Sequence, residues 1–85
     1  MKIVFSKNSW EEYTFWLRTD KRILKKINEL RNDIIKNPFS GKGKPERLMY
    51  DLEGFWSRRI DREHRLVYKF ENDEILILSC KYHPE

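Results

Sequence analysis

Apolar residues recur along this chain at two different periods. Before Pro38 they return every three or four positions, whereas after Glu46 they alternate. Ile23, Ile27, Leu30 and Ile34 lie four, three and four residues apart, which draws one stripe along an amphipathic helix that has to end before Pro38. Trp10, Tyr13 and Leu17 mark an earlier helix, its stripe widened by Phe15 and Trp16. Ser9 and Glu12 have the spacing of a capping box and predict that this helix starts at Ser9, while Thr19-Asp20 offers the N-cap of the second helix. Met1 to Ser6, with Ile3 to Phe5 as its apolar part, reads as a short strand.

The alternating part predicts strands over Leu48 to Leu52, Phe55 to Ile60, Arg65 to Phe70 and Ile75 to His83. Glu53-Gly54, Asp61 to His64 and Glu71 to Glu74 are short enough to close hairpins, so these strands form an antiparallel meander. The expected class is α+β, with two N-terminal helices packed on a mainly antiparallel, roughly five-stranded sheet. Leu66, Tyr68 and Phe70 face the helices, which sends Arg65, Val67 and Lys69 to the opposite face. In the last strand Leu76, Leu78, Cys80 and Tyr82 are assigned to the core, and Ile75, Ile77, Ser79, Lys81 and His83 to the other phase. Pattern alone does not decide between Phe55, Ser57, Arg59 and Trp56, Arg58, Ile60, so either Arg58 or Arg59 can join Arg65.

Composition narrows the class. With 85 residues there is room for a single domain, residues 1–85, and none for a second domain or a large cofactor fold. A 14% aromatic share argues for a folded core despite 38% charged residues, and the three tryptophans exceed what so small a core buries with ease, a surplus that either serves an interface or is simply half exposed. The net charge of +4 is uneven: residues 1–36 hold nine Lys/Arg against five Asp/Glu, and residues 37–85 hold nine of each. Lys21, Arg22, Lys25 and Lys26 crowd the start of the second helix, where cations face the unfavourable end of the dipole and like charges sit one turn apart. Such a cluster is either a solvated face or a surface for docking phosphate.

The loop from Asn37 to Pro45 lacks the spacing of a phosphate loop, although Lys42 and Lys44 can reach an RNA backbone. Cys80, the single cysteine, reads as a buried core thiol. No apolar run approaches the ~20 residues of a membrane span and no signal-peptide h-region is present, so no membrane association and a cytoplasmic location are expected. With two histidines, His64 in a predicted tight turn, and no ligand cluster, neither a metal nor a cofactor is expected.

Glu46, Arg65 and His83 supply a carboxylate, a guanidinium and an imidazole at strand edges or ends. RNA carries its own nucleophile in the 2′-hydroxyl, so cleavage needs only a base, an acid and charge stabilisation at phosphorus. Taken singly, each residue also has an ordinary structural reading: a surface carboxylate, a cross-strand ion-pair partner and a chain end.

Gly41-Lys-Gly-Lys-Pro-Glu46, Gly54-Phe-Trp-Ser-Arg-Arg-Ile60, Glu63-His-Arg-Leu-Val-Tyr68 and Cys80-Lys-Tyr-His83 closely resemble the YoeB-like toxins of the RelE/ParE superfamily. The segment from Thr19 to Leu30 matches as well, and the likeness runs along essentially the whole chain. The resemblance implies a RelE-like fold and a metal-free, ribosome-dependent endoribonuclease that cuts mRNA in the A site. It assigns Glu46 as general base, His83 as general acid, and Arg65 and Arg59 to the phosphate. The partners it implies are a YefM-like antitoxin, the 70S ribosome with its mRNA and a second copy in a homodimer, with operator DNA reached only through the antitoxin complex. A ParE-like gyrase inhibitor and a catalytically weakened RNA or ribosome binder are the competing functions on this fold. Two positions depart from the family pattern: Pro84-Glu85 follows His83 where a terminal tyrosine is usual, and Met49 stands in place of a lysine.

Overall fold

A computed structural model describes residues 1–82. His83, Pro84 and Glu85, and with them the expected general acid and the departure at the chain end, lie outside the described residues. The chain runs β1 (Lys2–Phe5), α1 (Lys7–Thr19), α2 (Lys21–Lys36), β2 (Glu46–Arg47), a 3₁₀ turn (Tyr50–Leu52), β3 (Trp56–Arg59), β4 (Arg65–Glu71) and β5 (Glu74–Ser79). The five strands form one mixed sheet in the order β1-β5-β4-β3-β2, with β1 parallel to β5 and every other pair antiparallel. Both helices follow β1 and lie against one face of this sheet, which confirms the expected α+β class.

The stripe read for α2 is the buried one: Ile27, Leu30 and Ile34 are fully enclosed and pack with Trp16, Leu66, Tyr68, Ile75 and Ile77. Asp20 caps α2 as expected, its carboxylate accepting from the Arg22 and Ile23 amides. At α1 the expectation fails. The helix begins at Lys7 with Ser6 as N-cap, because Ser9 and Glu12 have partners elsewhere: Ser9 Oγ donates to the Ile77 carbonyl, and Glu12 Oε1 accepts from the Cys80 amide. Trp10, 52% exposed and stacked on Tyr13, is the surplus tryptophan.

Two strands differ from the pattern reading. The Leu48 to Leu52 strand is replaced by the two-residue β2 just before it and by the 3₁₀ turn, since Tyr50 adopts a positive φ that no ladder tolerates. In β5 the enclosed residues are Ile75 and Ile77, not Leu76 and Leu78. An irregularity opposite Val67 and Tyr68 then shifts the phase, so Cys80 is again buried. Tyr82, expected in the core, is 53% exposed because β5 ends at Ser79 and Tyr82 sits at a positive φ that breaks the alternation. The β4–β5 hairpin closes through Asn72 and Asp73, both at positive φ as a two-residue primed turn requires. Burial pushes the Cys80 thiol up to about 12, with the Glu12 carboxylate adding to the effect.

Candidate active site

Antiparallel partners share a face, so register places the candidate residues. Glu46 pairs with Ser57, Ser57 with Val67, and Arg59 with Arg65. Glu46, Ser57, Arg59, Arg65 and Val67 therefore stand on the face opposite the helices. Glu46 and Arg59 are diagonal neighbours across β2 and β3, and Arg65 is one strand further on. Ser57 and Val67, both nearly fully buried, form the floor between the three charged side chains.

The ambiguity between Arg58 and Arg59 resolves in favour of Arg59. Arg58 points to the helix side and is 0% exposed. Its Nε donates to Tyr68 Oη at 3.0 Å, Nη1 to Asp33 Oδ2 at 2.6 Å and to the Lys42 carbonyl at 3.2 Å, and Nη2 to the carbonyls of Asn37 and Ser40 at 2.6 and 2.9 Å. A buried guanidinium needs its donors satisfied, and here all five bonds are made within or beside one loop. Tyr68 Oη completes the system by donating to the Pro38 carbonyl. Desolvation pushes the Tyr68 phenol above its ordinary range, while Asp33 is held below the usual carboxylate range, first by the Lys42 amide and then by Arg58.

This hub fixes the loop from Asn37 to Lys44, which delivers Lys44 and Glu46 to the sheet. Glycine is required at both bends: a Cβ on Gly41 would collide with Asp33 Oδ2, and one on Gly43 would lie 3.0 Å from the Arg59 carbonyl and from Leu30 Cδ2. The Gly43 carbonyl accepts from the Arg59 amide at 2.6 Å, tying the loop to β3 beside the candidate arginine.

At the mouth of the β3–β4 hairpin Lys26, Lys44, Arg59, Arg62 and Arg65 line a shallow depression of about 660 Å³. Five cations on one concave surface create a field that favours an anion. Arg65 is anchored there, its Nη1 donating to the carbonyls of Asp61 and His64. Asp61, the acidic residue of the rim, is occupied by the amides of Glu63 and His64. The helix cluster divides: Lys26 lines this depression, Arg22 and Lys26 line an adjoining hollow, and Lys21 and Lys25 line neither. Lys42 is exposed, with its backbone in the Arg58 hub and its side chain outside the depression. Arg62 was not singled out by sequence reasoning; its place in a turn beside Arg65 was the available signal. Among the described residues no His, Cys, Asp or Glu cluster could hold a metal ion, and no helix is long and apolar enough to cross a membrane.

The α+β fold itself is shared with YafQ from Escherichia coli, which superposes with a TM-score of 0.79 over 96% of this chain and 92% of that one at 16% identity, a likeness of fold alone. The model of the "YoeB-like toxin of bacterial type II toxin-antitoxin system" matches residues 5–84. The Escherichia coli K12 toxin YoeB is 58% identical over 98% of this chain and 99% of its own length, and the Streptomyces coelicolor toxin YoeB is 49% identical over the same shares. Among solved structures, a YoeB/ParE toxin from Agrobacterium tumefaciens is 44% identical with a TM-score of 0.97, covering 99% of this chain and 100% of that one. A YoeB dimer from Staphylococcus aureus is 47% identical with a TM-score of 0.92 over 99% of this chain and 98% of that one. The chain belongs to the YoeB-like toxin family of bacterial type II toxin–antitoxin systems.

Proposed function

We propose that this toxin is a ribosome-dependent endoribonuclease that cuts mRNA in the A site. The observation that carries the reading is the shared face of Glu46, Arg59 and Arg65 above the buried floor of Ser57 and Val67, beside a depression rich in cations. Glu46 takes the 2′-hydroxyl proton as that oxygen attacks phosphorus in line. The 2′-oxygen–phosphorus bond forms as the bond from phosphorus to the 5′-oxygen breaks, and His83 gives its proton to the departing oxygen. Arg59 and Arg65 hold the non-bridging oxygens, whose charge rises in the transition state. The products are a 2′,3′-cyclic phosphate and a 5′-hydroxyl. Lys26, Lys44 and Arg62 bind flanking phosphates, and Lys21, Arg22, Lys25 and Lys42 extend the field over which the ribosome docks.

The ribosome supplies the codon geometry that three side chains on an open surface do not impose. A YefM-like antitoxin restrains the toxin, a reading supported by the solved YoeB–YefM complex of Staphylococcus aureus. Homodimerisation is supported by the YoeB dimer from the same organism and by the half-exposed Trp10. The work takes place in the cytoplasm, where ribosomes are. Primer extension on mRNA translated in vitro is the test: cuts inside the A-site codon that vanish in Glu46→Gln and His83→Gln are expected. Undiminished cutting by either variant refutes the assignment.

A further inference from the structure

The register that sets the arginines on one side of Glu46 sets a second pair of side chains on the other. Arg59 faces Arg65 across β3 and β4, and Ser57 faces Val67 two residues along. Continuing the ladder past Trp56 and Tyr68 brings Phe55 opposite Lys69 on that same face, and their side chains meet there, with Lys69 Nζ 5.4 Å from the centre of the Phe55 ring. Because Glu46 pairs with Ser57, its carboxylate stands midway between the two rungs. At the ~3.4 Å rise of an antiparallel strand residue, four residues separate the rungs by roughly 14 Å. A short run of extended single-stranded RNA bridges that span. The cationic depression lies on the arginine side, at the mouth of the hairpin, and so serves one flank of a strand laid across Glu46.

Both side chains are firmly placed and neither is used up by its surroundings. The Phe55 amide donates to the Leu52 carbonyl at 3.0 Å and its carbonyl accepts from the Leu48 amide at 2.9 Å, while the residue stays partly exposed. Gly54 turns beside the lysine stem, where a Cβ would lie 3.8 Å from Lys69 Cε. Apart from the ring, Lys69 pairs with Glu71 Oε1 at 3.5 Å, the two side chains being 31% and 61% exposed. An ion pair open to water contributes little to stability, so Lys69 can exchange that carboxylate for a phosphate. Its flexible stem lets the ammonium swing off the ring and uncover a face for a base. An aromatic ring beside a cation is the combination on which single-stranded nucleic acid is held.

We propose that Phe55 and Lys69 form a second RNA subsite, the ring stacking on a base and the ammonium neutralising a phosphate, on the side of Glu46 away from Arg59 and Arg65. The proposal deepens the ribonuclease reading above and rests on it. Held on both flanks, the strand lies across Glu46 and the floor of Ser57 and Val67, which narrows the directions from which a 2′-hydroxyl meets the carboxylate.

The test is binding of two uncleavable probes, the 2′-O-methyl adenosine dinucleotide and hexanucleotide, to the parent, Lys69→Gln and Phe55→Leu, followed by NMR titration across a salt series. The dinucleotide has a single phosphate and cannot occupy both subsites, whereas the hexanucleotide spans them. The parent should bind the hexanucleotide more tightly. Lys69→Gln should make the fall of log affinity with log salt shallower by about 0.7 for the hexanucleotide, the value of one phosphate contact on a single strand, and leave the dinucleotide unchanged. Phe55→Leu should weaken the hexanucleotide by about 5-fold or more, as loss of a stacked base does, and again spare the dinucleotide. An unchanged slope in Lys69→Gln, equal losses on both probes, or a hexanucleotide that binds the parent no tighter than the dinucleotide overturns the subsite. Primer extension separates the two failures: a parent that cuts on ribosomes while failing these tests keeps the ribonuclease reading and loses the subsite, and one that neither cuts nor binds the hexanucleotide loses both.

Discussion

Replacing Asp33 with alanine tests the buried hub directly. Among the described residues Asp33 Oδ2 is the one anionic partner of the wholly enclosed Arg58 guanidinium, and it also accepts from the Lys42 amide at 2.8 Å. The substitution strands a charge that keeps only carbonyl and phenol partners. Removing one member of a buried pair costs about 3–5 kcal/mol; with the Asp33 side chain 20% exposed, water can enter, and the lower end, about 3 kcal/mol, is expected. For a domain of this size each kcal/mol moves the midpoint by roughly 4–8 °C, so Tm should fall by roughly 12–24 °C. Urea denaturation and thermal scans of both proteins at neutral pH measure this. A loss of the same sign should appear on the acid side of the parent. The Asp33 carboxyl is depressed in the fold, so its contribution is complete above the ordinary value of 3.8 and disappears as pH falls through the lower folded value. Asp33→Asn should flatten that branch. A cost below about 1 kcal/mol for Asp33→Ala would place the pair among ordinary surface bridges and refute the assignment of Arg58 as an enclosed hub.

Gly43→Ala should destabilise the fold by about 1–3 kcal/mol, because the residue sits at φ 80° and its new methyl would press on the Arg59 carbonyl; chemical denaturation reads the change, and a neutral result argues against the close loop–strand contact. Native Cys80, its thiol pushed up to about 12 and fully buried, should resist a disulfide reagent at pH 8 and react only on unfolding. Lys26→Glu should weaken ribosome binding more than Lys21→Glu and lower the salt slope further, since Lys26 shares a depression with Arg59 and Arg65 while Lys21 does not. Equal effects in a filter-binding salt series would make the helix cluster a diffuse field.

What sequence made legible was whatever local periodicity decides. Ile27, Leu30 and Ile34 are buried as their spacing demands, and Asp20 caps the helix that follows it. Leu66 and Tyr68 face the helices, which carries Arg65 to the other side as expected. Errors arose where a distant partner outbids a local one. Ser9 and Glu12 satisfy the capping-box pattern, but their oxygens serve Ile77 and Cys80, 68 residues away in each case. The β5 phase could not be read because both candidate sets are apolar up to Leu78 and the irregularity opposite Val67 and Tyr68 leaves no trace in composition. Arg58 was ambiguous for a physical reason: an arginine belongs on an apolar face only if a loop folds its carbonyls around the guanidinium, and that loop conformation is visible only in three dimensions.

The buried hub and the β3–β4 hairpin divide the described site between them. Arg59 and Arg65 stand on the hairpin, held by cross-strand pairing and by packing against α2. Glu46 follows the loop that the Arg58 hub organises. In the proposed reaction the base is therefore carried by a segment outside the hairpin, fixed by its own hydrogen-bond system, beside arginines that stay in place. Loosening the hub should impair proton removal and leave the phosphate grip intact. An RNA substrate with a good leaving group at the 5′-oxygen needs no general acid, so it reads proton removal alone. His83→Gln should recover on that substrate and Asp33→Ala should not. Recovery of Asp33→Ala would mean that the hub supports the fold as a whole and does not serve the base.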